Sequence, residues 1–443
     1  MLIRNILGIG IVFVALLPRI LPFLYHSHPL GYDTGFYRRY ILQDAGSFFH
    51  QSVPGLGNDA LLPRLFLDSL RLIGIPPDII LYGSYLLLSM LSLGLIFLLV
   101  AHYEGRATGF FAAFLFALSP IQYTAYWYMF YKQAFALPLL LITFLLLEKK
   151  SPWATLSAIG ITLSHQTTSI IFFATTIPYI VTSPRRLKQL AAVFIPAAVL
   201  FGYLHGSWYT NSPALPVGVF MEIKEYLMLS FPMLVFAAIG ISSFFARQKY
   251  TVMSMFLGIT AIFPILLLPF YQRTFFFLDA ALALPASMGA VILWQQFRSA
   301  SKNYMQTLMA GLLIGLFTWQ AYFLWRTVVR LAPLVSREEL RELETIDRLT
   351  LPHATILTST ALAPWVQGWS IRQVEAPGMF GDTRDVHEWR AFGQTTNAQE
   401  KIKFLTTFPA PLFFFLPPSE QTPFLTWKEC IRRQSDYLLY YTC

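Results

Sequence analysis

"EKKSPWATLSAIGITLSHQTTSIIFFATTIPYIVTSPRRLK" (residues 148–188) sets an apolar run between two basic clusters, with Ser164-His165-Gln166-Thr167-Thr168 at its centre. Basic clusters that flank membrane-embedded segments gather on the cytoplasmic face, so an even number of crossings should separate Lys150 from Arg185. The apolar part, 153–181, is too short for two full spans of about 20 residues each. It suits two short helices joined by a turn that dips in from the outer face, and SHQTT is that turn. Everything else in the topology follows from this parity.

The composition agrees that lipid is the solvent. Of 443 residues, 56% are hydrophobic and 12% charged, and the mean hydropathy is +0.54; a soluble chain could not cover that much apolar surface. The 40 Phe and 22 Tyr fit lipid-facing helices with interfacial belts. The net charge of +9 comes without any long basic run, which argues for loop anchors and against a nucleic-acid surface. The two cysteines, Cys430 and Cys443, could pair in an oxidising compartment or stay as thiols, and the sequence leaves both open. The first apolar run holds Pro18 and Arg19 and is followed by no small-residue cleavage site, so a retained helix is expected rather than a cleaved signal.

Single spans are expected at 5–24, 79–101, 190–204, 227–245, 252–270, 274–294 and 305–325. The region 109–147 should be a hairpin with its aromatic turn outside. The segments EKK, RRLK (from Arg185), RQK (from Arg247) and FRSASK (ending at Lys302) anchor the cytoplasmic side. The result is an all-α polytopic membrane protein of about 11 helices, with its N-terminus inside and C-terminus outside. The expected location is the plasma membrane.

Four segments then meet the outer face: 26–78, Tyr131-Lys132-Gln133, the turn at His165, and Tyr271-Gln272-Arg273. Non-helical backbone at membrane depth persists only where it lines a cavity, so an outward-opening cavity is expected. The domains divide as 1–325, transmembrane with a catalytic first outer loop at 25–78, and 326–443, a small C-terminal extracytoplasmic α/β domain. In the latter, SREELRELETIDRL begins with a capping box, Ser336 with Glu339, and ATILTST, PLFFFLPP and DYLLYYTC read as short buried strands. No tandem repeat is evident.

The outer segments carry the candidate chemistry. Asp33, in "HSHPLGYDTGFYRRYILQ" (residues 26–43), suits the N-cap of a helix bearing Phe36, Tyr37, Tyr40 and Ile41. It equally suits a general base, and one carboxylate can do both. Arg38 and Arg39 answer either to anionic headgroups or to a bound phosphate. Lys132 either snorkels or meets an anion, with Gln133 beside it. His165 and Gln166 form a hydrogen-bonded knot or line the cavity. Arg273, behind Tyr271, pairs with Asp279 or receives a phosphate. Cations from separate turns suit a diphosphate or phosphodiester better than a metal cluster. No HExxH, cysteine cluster or phosphate-cradling glycine loop occurs.

A first membrane helix, an outer loop with PLGYDTGFY, paired short helices and an external C-terminal domain together resemble the GT-C superfamily of polytopic glycosyltransferases, including the protein mannosyltransferase and aminoarabinose transferase types. The likeness covers most of 1–325. It implies that Asp33 is the first-loop acidic residue, that Tyr37 is the tyrosine that follows it, that His165 is the polar tip between two helices, and that Arg273 meets the donor phosphate; Tyr32 and Tyr37 are candidates to border the cavity. One departure is clear: no Asp or Glu lies between Glu104 and Glu148, where many members carry a second carboxylate. That departure weakens the case for a two-carboxylate metal site; the sequence names no definite cofactor, and a divalent metal stays open, with Asp33, Glu222 and Glu225 as its candidate ligands. The expected activity is transfer of a sugar, with inversion, from a polyprenyl-phosphate-linked donor to an acceptor hydroxyl (glycan, lipid or protein) on the outer face. The rivals are a flippase or transporter, which needs a polar path through both leaflets, a ligase or polymerase of lipid-linked saccharides, and a non-catalytic scaffold.

Overall fold

The computed structural model describes residues 2–25, 31–42, 61–182, 187–211, 220–248, 251–299, 303–377, 386–395, 397–425 and 429–443. The expected anchors Arg185, Lys249 and Lys302, and the parts of the first outer loop at 26–30 and 43–60, lie outside them. The helices begin with α1 (Leu2–Tyr25), α2 (Thr34–Leu42), α3 (Leu61–Arg71), α4 (Pro77–Ala117), α5 (Pro120–Trp127), α6 (Tyr131–Glu148) and α7 (Ala154–Thr162). They continue with α8 (Gln166–Val181), α9 (Leu187–Asn211), α10 (Ile223–Leu229), α11 (Phe231–Gln248), α12 (Val252–Ile265), α13 (Tyr271–Ser299) and α14 (Asn303–Arg330). Contacts divide the chain into two compact units. The first holds Met1–Tyr25, Asp59–Pro63 and Tyr82–Leu331; the second holds His26–Asn58, Arg64–Leu81 and Ala332–Cys443. The segment expected as the first outer loop therefore sorts mostly with the C-terminal part of the chain.

In the first unit, α4, α6, α11, α13 and α14 are long and apolar enough to cross a bilayer, and α1, α8, α9 and α12 contain shorter apolar stretches. These five long and four shorter apolar helices, among the described residues, leave the expected count of about 11 helices open. Helix α4 is two arms joined at Gly105, whose φ of 84° and ψ of 169° are not helical. A Cβ on Gly109 would lie 2.9 Å from the Phe97 carbonyl oxygen, whereas twelve residues of straight helix would hold those positions about 18 Å apart. The chain reverses at Gly105, as expected. The 153–181 region is the expected pair of short helices, α7 and α8, with His165 as the N-cap of α8.

Two expected spans are corrected. The 227–245 span is broken at Ser230 into α10 and α11; Pro232 has no N–H to continue the ladder, and its ring would strike the carbonyl of Met228. The 252–270 span ends at Ile265, since Pro269 would clash with that residue's carbonyl. Leu267 and Phe270 then take positive φ, 51° and 61°.

Helix α13 is the buried centre of this unit, with 89% of its apolar window inside. It crosses α11 backbone to backbone: a Cβ on Gly289 would stand 1.9 Å from the Phe236 carbonyl oxygen, and one on Gly240 would stand 2.1 Å from that of Pro285. Small residues allow this approach where lipid supplies no hydrophobic drive.

The second unit adds α15 (Arg337–Leu349), α16 (Ala363–Trp369), α17 (Val386–Gln394), α18 (Ala398–Leu405) and α19 (Pro418–Leu425) around a sheet. The strands are β1 (Thr355–Thr358), β2 (Gln373–Glu375), β3 (Leu412–Phe415), β4 (Ile431–Arg433) and β5 (Leu438–Tyr441), in the order β2-β1-β3-β5-β4. β1 is parallel to β2 and β3, while β5 is antiparallel to β3 and β4. β1 and β3 are buried along their whole length, so both faces are covered. Ile356, Phe413 and Phe415 pack with Leu343, Ile346 and Trp365; on the other face Leu357, Leu412 and Phe414 pack with Trp389, Phe392 and Leu405. The capping box forms as expected, Ser336 Oγ accepting from the Glu339 amide at 3.1 Å and Glu339 Oε2 from the Ser336 amide at 2.7 Å. Cys430 and Cys443 are joined in a disulfide.

Candidate active site

Three helix N-termini meet in the first unit. Lys132 is the second residue of α6, Arg273 the third of α13, and His165 caps α8. Lys132, Arg273 and His205 of α9 all lie near enough to the His165 imidazole to act on its charge. The Arg273 guanidinium stands 5.8 Å from the centre of the Phe130 ring, and Phe130 is the N-cap of α6, where it offers no side-chain bond. The turns leading into both cations contain non-glycine residues in the left-handed region, Met129 (φ 59°) before Lys132 and Phe270 (φ 61°) before Arg273. Such backbone costs on the order of 1 kcal/mol per residue and is kept where surroundings impose it.

The expected alternative for Arg273, pairing with Asp279, is not what the helix does. Asp279 Oδ2 accepts from Gln122 Nε2 at 3.0 Å, and Arg273 has no carboxylate partner among the described residues. Its Nε is buried without an acceptor, as are Nε2 of Gln133, next to Lys132, and Nε2 of Gln166, next to His165. These orphans are donors. His165 Nδ1 accepts from the Thr168 amide at 3.3 Å and lies 2.8 Å from the Thr168 hydroxyl. Tyr271 packs edge-on against Phe275. Glu222 caps α10 and Glu225 lies in its first turn; burial raises the Glu225 carboxyl above the ordinary range. Among the described residues no group of three or more His, Cys, Asp or Glu is placed to hold a metal.

The second unit holds the other candidates. Asp33 lies at the start of α2, half-buried, its carbonyl accepting from the Tyr37 amide at 3.3 Å. The Tyr32 hydroxyl donates to the Thr360 carbonyl at 2.9 Å; burial, and then the charge of Asp33, push its pKa up to about 12. Tyr37 is buried beside Tyr40. Arg38 and Arg39 face protein acceptors. Arg38 donates to the Gly368 carbonyl at 2.8 Å and to Asp78 at 3.3 Å, and lies over Trp369 at 4.2 Å. Arg39 donates to the carbonyls of Ser370 at 2.7 Å and Ile371 at 3.3 Å. Gly35 touches α16 so closely that a Cβ would lie 1.8 Å from the Pro364 carbonyl oxygen.

Two buried residues were not singled out from the sequence. His205 stands just beyond an expected span, and that polar interruption was its one signal. Asp68, six per cent exposed, lies 3.9 Å from Arg64 Nε, and neither of its oxygens is hydrogen-bonded. Burial raises its carboxyl, with Arg64 and Arg71 opposing; the i, i+4 spacing was its signal.

No family model and no curated protein sequence matches the chain, but solved structures do. ArnT from Cupriavidus metallidurans superposes with a TM-score of 0.62 at 11% identity, over 98% of both chains. An oligosaccharyltransferase of Archaeoglobus fulgidus gives 0.62 at 11% identity over 93% of this chain and 70% of its own. The chain has the GT-C fold. A third GT-C structure, the mycobacterial arabinofuranosyltransferase AftD, gives 0.56 at 15% identity over 94% of this chain and 35% of its own. ArnT has also been solved bound to undecaprenyl phosphate, and the archaeal protein with an inhibitory peptide and a dolichol-phosphate.

Proposed function

We propose that the protein is a membrane glycosyltransferase that takes a sugar from a polyprenyl-phosphate carrier and passes it to an acceptor hydroxyl on the outer face. One observation carries this: cations and orphaned donors at converging helix N-termini, with no carboxylate on Arg273 among the described residues. Helix N-termini and cations both favour an anion, and buried donors without acceptors cost about 1–3 kcal/mol each until a ligand supplies oxygens. A phosphate does so, and an isoprenoid carrier explains why the site sits among apolar helices. The carrier chemistry seen in two GT-C structures supports the same reading.

Arg273 and Lys132 hold the donor phosphate. Asp33 removes the acceptor's hydroxyl proton; the oxygen bonds to the anomeric carbon from the side opposite the phosphate, the carbon–phosphate-oxygen bond breaks, and the configuration inverts. Polyprenyl phosphate departs with the bonding electrons, its charge met by the two cations. Arg38 and Arg39 hold the helix that follows Asp33, a positioning role. The disulfide supports an outer location for the C-terminal unit, since such bonds persist in oxidising compartments.

The test supplies purified protein in detergent with a panel of polyprenyl-phosphate sugars and acceptors. Asp33→Asn should lower turnover by about 100-fold or more, and Arg273→Ala should raise the donor KM more than the acceptor KM, each on the scale of one well-placed catalytic group. Wild-type turnover by Asp33→Asn would remove the base. Donor movement across vesicles without product would replace transfer with transport.

A further inference from the structure

We infer that His165 acts as a neutral hydrogen-bond donor, presenting Nε2–H to the phosphate of the lipid-linked donor, and not as a base or proton shuttle. This rests on the lipid-phosphate reading above and adds one atom to it. The Thr168 amide can only donate, so the Nδ1 it reaches at 3.3 Å must offer a lone pair, and the hydroxyl at 2.8 Å then donates to the same nitrogen. The single ring proton is left on Nε2. A doubly protonated ring would lose the bond from the Thr168 amide and leave that buried N–H unpaired, although the hydroxyl could turn to accept.

The ring cannot easily turn. His165 is five per cent exposed, Thr168 is fully buried, and Ser169 Oγ donates to the His165 carbonyl at 2.9 Å. Nε2 has no protein partner among the described residues, and it is not one of the sealed orphan atoms. Among the described residues, Lys132 from α6, Arg273 from α13 and His205 from α9 act on the charge of the imidazole. None is a carboxylate, and the two cations can only donate. An anion's oxygen would accept it.

Binding measurements separate this inference from the reading beneath it. The probes are undecaprenyl phosphate and undecaprenol, titrated into full-length protein in detergent. His165→Asn keeps an N-capping acceptor but lacks a donor at the Nε2 position, whereas His165→Gln carries an amide nitrogen near it. The expected result is wild-type preference for the phosphate, a loss of about tenfold in phosphate affinity for the Asn variant, partial recovery for Gln, and unchanged undecaprenol binding. The ratio of wild-type to Asn affinities should stay flat from about pH 5.5 to 8.5, across the ordinary histidine range. Equal phosphate binding by wild type and Asn would overturn the role of His165 alone. A ratio that climbs as pH falls through about 6.5 would mark an imidazolium and overturn it too. A wild type that binds both probes equally would overturn the phosphate reading itself.

Discussion

At Gly35 the backbone of α2 touches that of α16, and the residues around it show how a charge visible in sequence acquires a use only from its partners. Arg38 and Arg39 were open to headgroups or to a phosphate. Their guanidinium groups instead reach carbonyls at the end of α16, where Asp347 fixes the loop by accepting from Ser370 Oγ at 2.6 Å and from the Ile371 amide at 3.2 Å. Arg38→Lys should therefore loosen the second unit, since an ammonium cannot both stack on Trp369 and reach Gly368. Its midpoint in chemical denaturation should fall, with a loss of about 1.5–3 kcal/mol, as for a hydrogen bond to a charged group. Gly35→Ala should do more, because the new methyl meets a carbonyl rather than a movable side chain. The check is protease resistance of the α2 segment. An unchanged digestion pattern would mean that α2 is held by other contacts.

Between elements, the sequence showed which segments were helical better than where each one stopped. The α7–α8 pair was legible because basic clusters bound it and a polar turn divides it. The breaks at Ser230 and Ile265 were missed because Leu-, Phe- and Met-rich windows mask Pro232 and Pro269. β2 and β4 were missed for the opposite reason: three-residue strands rich in polar residues carry no apolar signal, and pairing alone defines them. The α11–α13 crossing yields a sharper expectation. Gly289→Leu should force those helices apart, lowering the unfolding temperature and the yield of monodisperse protein, while Gly311→Leu on α14, where a Cβ meets nothing within 4 Å, should leave both unchanged. Equal damage from the two would point to lipid exposure rather than packing.

For the molecule as a whole, orientation sets which face does chemistry. In a Cys430→Ser/Cys443→Ser background, a cysteine at Lys149 should resist impermeant thiol reagents in intact cells, and one at Leu351 should react. Reversed labelling would turn the outer-face reading around. The double serine variant should itself lose about 2–4 kcal/mol, the usual worth of a disulfide, seen as a lower midpoint for the second unit. What the sequence determined by itself is the solvent and the class: apolar runs of spanning length, basic anchors and a capped amphipathic helix dictate a lipid-embedded helical body with a small α/β appendage, because hydropathy and charge act locally along the chain. Tertiary structure alone decided which polar groups face one another. Lys132, His165, His205 and Arg273 come from four helices, and Asp279 turned to Gln122 rather than Arg273. Partner choice depends on packing between segments far apart in the chain, and no local pattern encodes it.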